Sequence, residues 1–169
     1  MRNPTHAPEL SNLAAKEKLP ITVYAMDVDS DVSAQEGIAL ISKEAGPIDV
    51  LVNNAGIERM GSVEELPMKE FRAVMETNYF GVIRCTQAVL PTITKRRSGC
   101  IINIASIAGR IASPSMSAYS ASKFALESLS EILVQEVKAF GIRVAIVEPG
   151  IIDTEMARHI TVAPGASHY

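Results

Sequence analysis

The sequence predicts an α/β fold in which a doubly wound parallel sheet is flanked by helices. Four short runs are rich in valine and isoleucine and alternate little with polar residues, which is typical of parallel strands buried on both faces. Stretches with helical periodicity separate these runs, and this alternation of helix and strand indicates a doubly wound sheet. The predicted strands cover residues 21–26, 48–53, 100–105 and 142–148.

The first three predicted helices have separate local signals. Residues 7–19 have a helical composition and stop before Pro20, which cannot continue a helix. Residues 33–44 place isoleucine and alanine side chains on one side, as in an amphipathic helix. Residues 68–91 form a longer helical stretch, which we expect to break near residues 78–81.

The last helix, at residues 118–140, has the clearest pattern. Gly141 follows it and is placed to end it, because glycine adopts the left-handed conformation common after helices. The apolar stripe predicted to face the core consists of Ala125, Leu129, Ile132, Leu133, Val137 and Phe140.

Polar or turn-forming residues follow every predicted strand. Asp27, Asn54, Ser106 and Pro149 all lie at or just beyond the carboxyl ends of these strands. Ligands of doubly wound sheets bind beyond that edge, so topology alone places a binding site there.

The composition is that of one globular domain. The chain has 169 residues, of which 47% are hydrophobic and 21% charged, and this length is sufficient for a sizeable core. A net charge of −3 provides no basic surface for nucleic acid. We therefore expect a small-molecule ligand.

No targeting or metal-binding pattern is visible. The first residues lack the apolar segment of a signal peptide, and no apolar run is long enough to span a bilayer. Cys85 and Cys100 lack metal or redox spacing, so we expect reduced core cysteines and a cytoplasmic location. His6, His159 and His168 do not cluster, and no metal site is predicted.

Three residues together can move a proton at a carbonyl or alcohol oxygen. Tyr119 and Lys123 lie one turn apart on a predicted helix, so they share a face. A nearby ammonium favours the phenolate and lowers the pKa of a phenol from its ordinary value of about 10. Ser106 can hold the substrate oxygen. Two alternatives stay open: a chance Tyr-x-x-x-Lys spacing, and a turn or helix-cap role for Ser106.

The loop at residues 53–56 reads Asn-Asn-Ala-Gly and follows a buried strand. Gly56 permits a ligand to approach the backbone closely, and paired asparagines can tie neighbouring strand ends together. An ordinary strand-to-helix turn is the alternative. Asn78 lies at the predicted helix break, where it is either a solvated residue or holds a water beside Lys123.

These residues together resemble the classical branch of the short-chain dehydrogenase/reductase family. The resemblance runs from about residue 1 to residue 156 and implies a Rossmann-type fold. It also implies hydride transfer between NAD or NADP and a carbonyl or secondary alcohol. The matching residues are Asp27-Val28, Asn53-Asn54-Ala55-Gly56, Asn78, Ser106, Tyr119-Ser120-Ala121-Ser122-Lys123, and Pro149-Gly150 with Thr154.

The resemblance implies a role for each catalytic residue. Tyr119 would be the acid/base, Lys123 would lower its pKa and bind the nicotinamide ribose, Ser106 would orient the substrate oxygen, and Asn78 would hold a relay water. The implied cofactor contacts run from the adenine end to the nicotinamide end. They are Arg2, Asp27, Val28, Asn54, Ala55, Gly56, Tyr119, Lys123, Pro149, Gly150, Ile152 and Thr154.

The family uses no metal and commonly pairs its subunits through two helices. These helices correspond to residues 78–93 and 118–140, so the resemblance implies a homodimer or homotetramer. Residues 58–63 and 110–116 would form pocket walls, and their methionine, isoleucine and proline side chains favour a partly apolar substrate.

The sequence departs from the family at both ends. The opening strand and glycine-rich turn of the family are absent, so we expect a single partial dinucleotide-binding domain over 1–169, truncated at the N-terminus. Residues 157–169 would begin a mobile substrate loop. The strand at 21–26 would lose its neighbour, and the strand at 48–53 would have an unpaired edge. Arg2 falls where some members bind the 2′-phosphate, which slightly favours NADP.

Three functions are therefore weighed. The leading one is an NAD(P)-dependent oxidoreductase, because all the motifs occur in order. The absent glycine-rich turn motivates the alternative, a non-catalytic fragment or paralogue that acts as a dimerisation partner without binding cofactor. A sugar-nucleotide epimerase ranks third, because the Asn-Asn-Ala-Gly loop favours the classical branch.

Overall fold

A three-stranded parallel sheet forms the centre of the fold. This computed structural model describes residues 2–4, 8–153, 158 and 161–163. The core strands have the order β1-β3-β4, and a separate parallel ribbon pairs β2 with β5. The prediction of a parallel α/β sheet is confirmed. The strands are β1 (Val50–Asn53), β2 (Arg59–Met60), β3 (Gly99–Ile104), β4 (Ile142–Val147) and β5 (Thr161–Val162).

The helices flank this sheet close to their predicted positions. The side chain of Ser30 accepts a hydrogen bond from the Ser33 amide at 3.2 Å, which caps the second helix. The helices are α1 (Pro8–Lys16), α2 (Asp31–Glu44), α3 (Met68–Met75), α4 (Gly81–Arg96) and α5 (Ser117–Val137).

The long helical stretch breaks where the sequence predicts. A π-helical turn, Glu76–Phe80, separates α3 from α4 and carries Asn78. A Cβ on Gly81 would lie 3.0 Å from Val28, so glycine lets the start of α4 approach that segment closely. π-Turns within helices are frequent at functional sites.

The predicted first strand is wrong. Residues 21–26 form no strand, because no described strand lies beside them to accept their backbone hydrogen bonds. Side-chain contacts still hold the segment. Met26 packs so closely on Gly37 that a Cβ there would lie 2.8 Å from the Met26 sulfur, and Arg84 donates a hydrogen bond to the Val28 carbonyl at 3.1 Å. The carboxyl end of the segment thus stays beside the sheet.

The edge of β1 that faces this segment is unpaired among the described residues. Its Val50 and Val52 are 49% and 51% exposed. An unpaired apolar strand edge is a template for pairing with other chains. The expectation of such an edge is confirmed by the strand order.

The apolar stripe predicted for α5 is partly wrong. Leu133 and Val137 are buried, but Ile132 and Phe140 are exposed, and the fully buried Leu126 was missed. The predicted end is confirmed, because Gly141 has a φ of +70°.

The buried face of α5 is largely polar, which explains the error in the stripe. Apolar periodicity alone therefore does not predict which residues of α5 are buried. Its buried polar residues are Ser120, Ser122, Lys123, Glu127 and Ser130.

A chain of buried side-chain hydrogen bonds crosses the sheet. Asn53 and Asn103 are partners in register on β1 and β3, and the amide of Asn53 donates to the Asn103 oxygen at 2.8 Å. Asn103 donates in turn to the Ser130 hydroxyl on α5 at 2.8 Å. Paired asparagines do tie strand ends together, although the partner of Asn53 is Asn103 and not Asn54.

We expect Asn103→Ala to lower the free energy of unfolding by about 1–3 kcal/mol, because it removes one buried hydrogen bond each from Asn53 and Ser130. Urea denaturation measures the change. Ser128→Ala is the matched control on an exposed position of α5, and its effect should stay within about 0.5 kcal/mol. Equal midpoints for the two variants would contradict this account of the sheet.

We expect Val50→Lys to suppress large aggregates at high protein concentration, because a charge on an edge strand opposes strand pairing. Light scattering measures aggregation. Val63→Lys introduces the same charge at a residue that is 75% exposed and outside the strands, so it should change aggregation little. An equal effect of the two lysine substitutions on aggregation would contradict this expectation.

Candidate active site

Ser106 lies just beyond the carboxyl end of β3 and has two partners. Its hydroxyl oxygen accepts a hydrogen bond from the Ala108 amide at 3.1 Å, which caps the short 3-10 turn Ile107–Gly109. The same hydroxyl hydrogen-bonds the phenol of Tyr119. The cap role weighed for Ser106 is therefore confirmed, and its role towards a substrate oxygen stays a prediction.

Tyr119 and Lys123 are buried on α5, with 7% and 5% of their surface exposed. The Lys123 amino group lies 5.6 Å from the centre of the Tyr119 ring and donates to the Ile104 carbonyl at 2.8 Å. Ile104 ends β3, so this hydrogen bond anchors the helix to the strand that leads to Ser106. The three predicted catalytic side chains are thus brought together.

Burial raises the pKa of the Tyr119 phenol above its ordinary value. The hydrogen bond with Ser106 lowers this pKa in part, and the negative charge of Glu58 raises it further. The net shift is therefore opposite to the lowering expected from Lys123, which is not among its resolved causes. Burial disfavours the charged phenolate, so the phenol keeps its proton at neutral pH.

Burial also lowers the pKa of Lys123, from 10.5 to about 8, and the negative charge of Glu127 opposes this effect in part. An amine with this pKa is mostly protonated at neutral pH and loses its charge in mildly alkaline solution. The site thus combines a neutral phenol with a positively charged amine.

Asn78 clamps the loop that follows β1. Its side-chain oxygen accepts from the Ile57 amide at 2.8 Å, and its amide group donates to the Ile57 carbonyl at 2.9 Å and to the Ser122 hydroxyl at 3.0 Å. The side chain is fully buried, so the solvated alternative is wrong. These contacts give the side chain a structural role, and the relay water stays a prediction.

A cavity of about 450 Å³ lies beside the free edge of β1. Its wall combines the residues predicted for the adenine and ribose side with apolar side chains of β1 and α4. The structure therefore brings one end of the predicted cofactor site together. The predicted residues in the wall are Arg2, Asp27, Val28, Asn54, Ala55 and Gly56.

Gly56 connects this cavity with the catalytic residues. The position of a Cβ on Gly56 lies 3.4 Å from the Asn78 side-chain oxygen and 3.9 Å from the Lys123 amino group. The loop after β1 therefore runs from the cavity to the buried lysine.

Arg2 is engaged by two carboxylates, of which that of Asp27 belongs to the cavity wall. Its guanidinium lies 3.1 Å from an Asp27 oxygen and 2.8 Å from an Asp29 oxygen. Because the Arg2 side chain is 62% exposed, each ion pair contributes little to stability. An anion that enters the cavity can compete for this guanidinium.

The residues predicted for the nicotinamide end are only partly assembled. The Pro149 carbonyl accepts a hydrogen bond from the Ile107 amide at 3.0 Å, which ties the end of β4 to the Ser106 turn. Gly150 is open on all sides, and Ile152 is 55% exposed. Thr154 lies outside the described residues, as does most of the segment 157–169.

Sequence reasoning gave no catalytic-site role to two carboxylates and a hydroxyl around these residues, although Glu58 lies in a predicted pocket wall and Ser122 in the quoted motif. Glu58 acts on the Tyr119 phenol, Glu127 on the Lys123 amine, and Ser122 bonds Asn78. The spacing of Glu127 from Lys123, one helical turn along α5, was a visible signal for its electrostatic effect on Lys123. Glu58 had no such signal, because its position depends on the loop.

Among the residues that the structure describes, no three histidine, cysteine or acidic side chains gather as a metal site would require. No helix in the same part of the chain has the length and apolar character needed to cross a bilayer.

Known proteins resemble this chain over nearly its whole length. The uncharacterized oxidoreductase YusZ of Bacillus subtilis strain 168 is 43% identical over 157 residues, which are 92% of this chain and 56% of that protein. The 3-ketodihydrosphingosine reductase of Bacteroides thetaiotaomicron is 42% identical over 134 residues, which are 79% of this chain and 50% of that protein.

Among solved structures, a gluconate 5-dehydrogenase from Burkholderia cenocepacia J2315 in complex with NADP and tartrate superimposes with a TM-score of 0.88. Its sequence is 30% identical, and the match covers 94% of this chain and 62% of that chain. The chain thus spans between half and just over three fifths of the length of these relatives.

The sequence model of the short chain dehydrogenase family matches residues 2–164. This match contains every element of the site described above, from the Arg2 ion pairs to the Ser106–Tyr119–Lys123 group. The chain therefore belongs to the short-chain dehydrogenase/reductase family.

Proposed function

We propose that this chain carries the catalytic centre of an NAD(P)-dependent oxidoreductase that interconverts a carbonyl compound and a secondary alcohol. The observation that carries the proposal is the meeting of Ser106, Tyr119 and Lys123 at the carboxyl edge of the sheet, near a cavity lined by Asp27, Val28 and Gly56. The relatives are oxidoreductases, and nothing in them supports a non-catalytic dimerisation partner.

The protonated phenol suits the role of proton donor when a carbonyl is reduced. The raised pKa of Tyr119 keeps a proton on the phenol, which can pass to the carbonyl oxygen as that oxygen becomes an alkoxide. Ser106 shares a hydrogen bond with the phenol and so holds the same oxygen. The Lys123 ammonium, 5.6 Å from the ring centre, would offset part of the negative charge of the phenolate that remains after the transfer.

The residues of the cavity fit the nucleoside part of a dinucleotide. Asp27 supplies hydrogen-bond acceptors, Val28 an apolar surface, and Gly56 a stretch of backbone without a side chain. Tyr119 and Lys123 would hold the nicotinamide ribose, and Asn78 keeps the connecting loop in place. When bound, NAD(P) supplies the hydride acceptor or donor that the protein itself lacks.

We propose a partly apolar ketone as the substrate class. The two predicted pocket walls adjoin, because the Gly61 amide donates to the Ser115 carbonyl at 2.9 Å and Gly61 bridges to Met116. Ile111 on one wall is 59% exposed, so it is available for an apolar contact. The name of the Bacteroides relative also indicates a keto compound.

A homodimer formed through the outer sides of α4 and α5 is the proposed assembly. Large apolar side chains are exposed there, with 44% of Phe80, 44% of Phe124 and 49% of Ile132 accessible. A second copy can cover this area, as the family resemblance implies.

We expect Tyr119→Phe to lower kcat by about 10²- to 10⁴-fold, because the variant keeps the ring and loses the proton donor. Nicotinamide absorbance measures turnover with NADH or NADPH and a panel of aliphatic and aromatic ketones. Tyr79→Phe is the matched control, since Tyr79 packs edge-on against Phe80 outside the site. Retained turnover in Tyr119→Phe, or none in the unsubstituted protein with any ketone, would contradict the proposal.

We expect Arg2→Gln to weaken NADPH binding about tenfold while changing NADH binding little, because one charge-assisted contact to the 2′-phosphate is worth about 1.5–3 kcal/mol. Nicotinamide fluorescence measures both affinities. The control is Arg143→Gln, an exposed arginine on β4, which should leave both unchanged. Equal losses for the two cofactors in Arg2→Gln would refute a preference for NADP through this residue.

A further inference from the structure

The guanidinium of Arg110 connects the three elements that carry the candidate active site. Arg110 directly follows the short turn that Ser106 caps. Its Nη2 lies 3.1 Å from Glu127 on α5 and 3.1 Å from Glu148, the residue after β4. Glu131 on α5 lies 3.4 Å from Nη1. A single side chain therefore joins the turn, the helix and the end of the last core strand.

The Glu127 side chain is buried, which is unusual for a carboxylate. Its side chain is 5% exposed, compared with 59% for Glu131 on the same helix. Within the described part of the chain, neither of its carboxylate oxygens has a hydrogen-bond partner of good geometry. The ion pair with Arg110 is its main compensation. A buried carboxylate in this state costs free energy that an apolar side chain would avoid.

The turn that holds Arg110 lies directly on the stretch of α5 between Lys123 and Glu127. A Cβ on Gly109 would be 3.0 Å from the Lys123 carbonyl oxygen and 3.2 Å from Cγ of Glu127. Glycine is therefore required for this close approach. The contact fixes the Glu127 carboxylate one helical turn from the Lys123 side chain.

Few charged groups face this part of the site. Lys123 is near Glu127 and the Tyr119 ring, and its amino group donates to a backbone carbonyl. Glu127 is near Lys123, Arg110, Glu148 and Glu131. Glu127 is the only one of the three carboxylates with a resolved effect on Lys123, whose pKa it raises.

We propose that Glu127, held in place by Arg110, is a positioning residue that supplies a counter-charge to Lys123 from one helical turn further along α5. Glu127 does not contact the substrate. It acts through Lys123. Burial and the charge of Glu148 raise the pKa of the Glu127 carboxyl, and Arg110 opposes this shift in part. The inference rests on the proposed function, because that function gives Lys123 its role beside Tyr119.

The test follows the ionisation of Lys123 by NMR in protein labelled with ¹³C-lysine, with the Lys123→Arg spectrum as the assignment. We expect Glu127→Gln to lower the pKa of Lys123 by roughly half a unit to one unit, because the opposite charge is lost. Glu127→Asp keeps the charge and should restore most of the difference. Glu131→Gln is the matched control, since it removes another partner of Arg110 from the same helix and should leave Lys123 unchanged.

A second measurement separates this inference from the proposed function. If the protein reduces ketones, the alkaline limb of its kcat profile should move to lower pH in Glu127→Gln, with KM little changed, and stay in place in Glu131→Gln. The NMR result needs neither substrate nor cofactor. An unchanged Lys123 titration in Glu127→Gln would overturn the inference even if turnover is observed. A shifted titration without turnover would support the inference and contradict the proposed function.

Discussion

The hydrogen bond from the Lys123 amino group to the Ile104 carbonyl organises the site. It buries a charged side chain between α5 and the end of β3. Because Ile104 is followed closely by Ser106, fixing the helix on this carbonyl also sets Tyr119 opposite the Ser106 hydroxyl. The close approach of the turn at Gly109 to the Lys123 backbone secures the same arrangement from the other side.

Polar contacts rather than apolar ones define the interior on this side of the sheet. The Asn53–Asn103–Ser130 chain of hydrogen bonds links β1, β3 and α5, and the Asn78 clamp fixes the loop after β1. Such buried bonds demand exact partners, since an unpaired polar group is costly. The buried hydrogen bonds that stabilise the sheet therefore also position the reactive groups at its edge, where small displacements strongly lower the reaction rate.

The sequence predicted the order of most elements, because strand composition and Gly141 are local signals, and it singled out Ser106, Tyr119 and Lys123, which the structure brings together. It failed for residues 21–26, whose strand depends on a neighbour that local sequence cannot supply. The α5 stripe was misjudged because this helix buries serines, Lys123 and Glu127, which periodicity counts as exposed. The pKa of Tyr119 was predicted in the wrong direction, because the lysine charge was visible in the motif and the burial of the phenol was not.

The central claim is that a buried, neutral phenol serves as the proton donor of the site. Titration of ¹³C-tyrosine-labelled protein by NMR tests it most directly, with Tyr119 assigned by its loss in Tyr119→Phe. The account predicts that Tyr119 ionises above the ordinary phenol pKa of 10.0. Ionisation of Tyr119 below that value would contradict it. Such a result would mean that the charge of Lys123 affects the phenol pKa more than burial does.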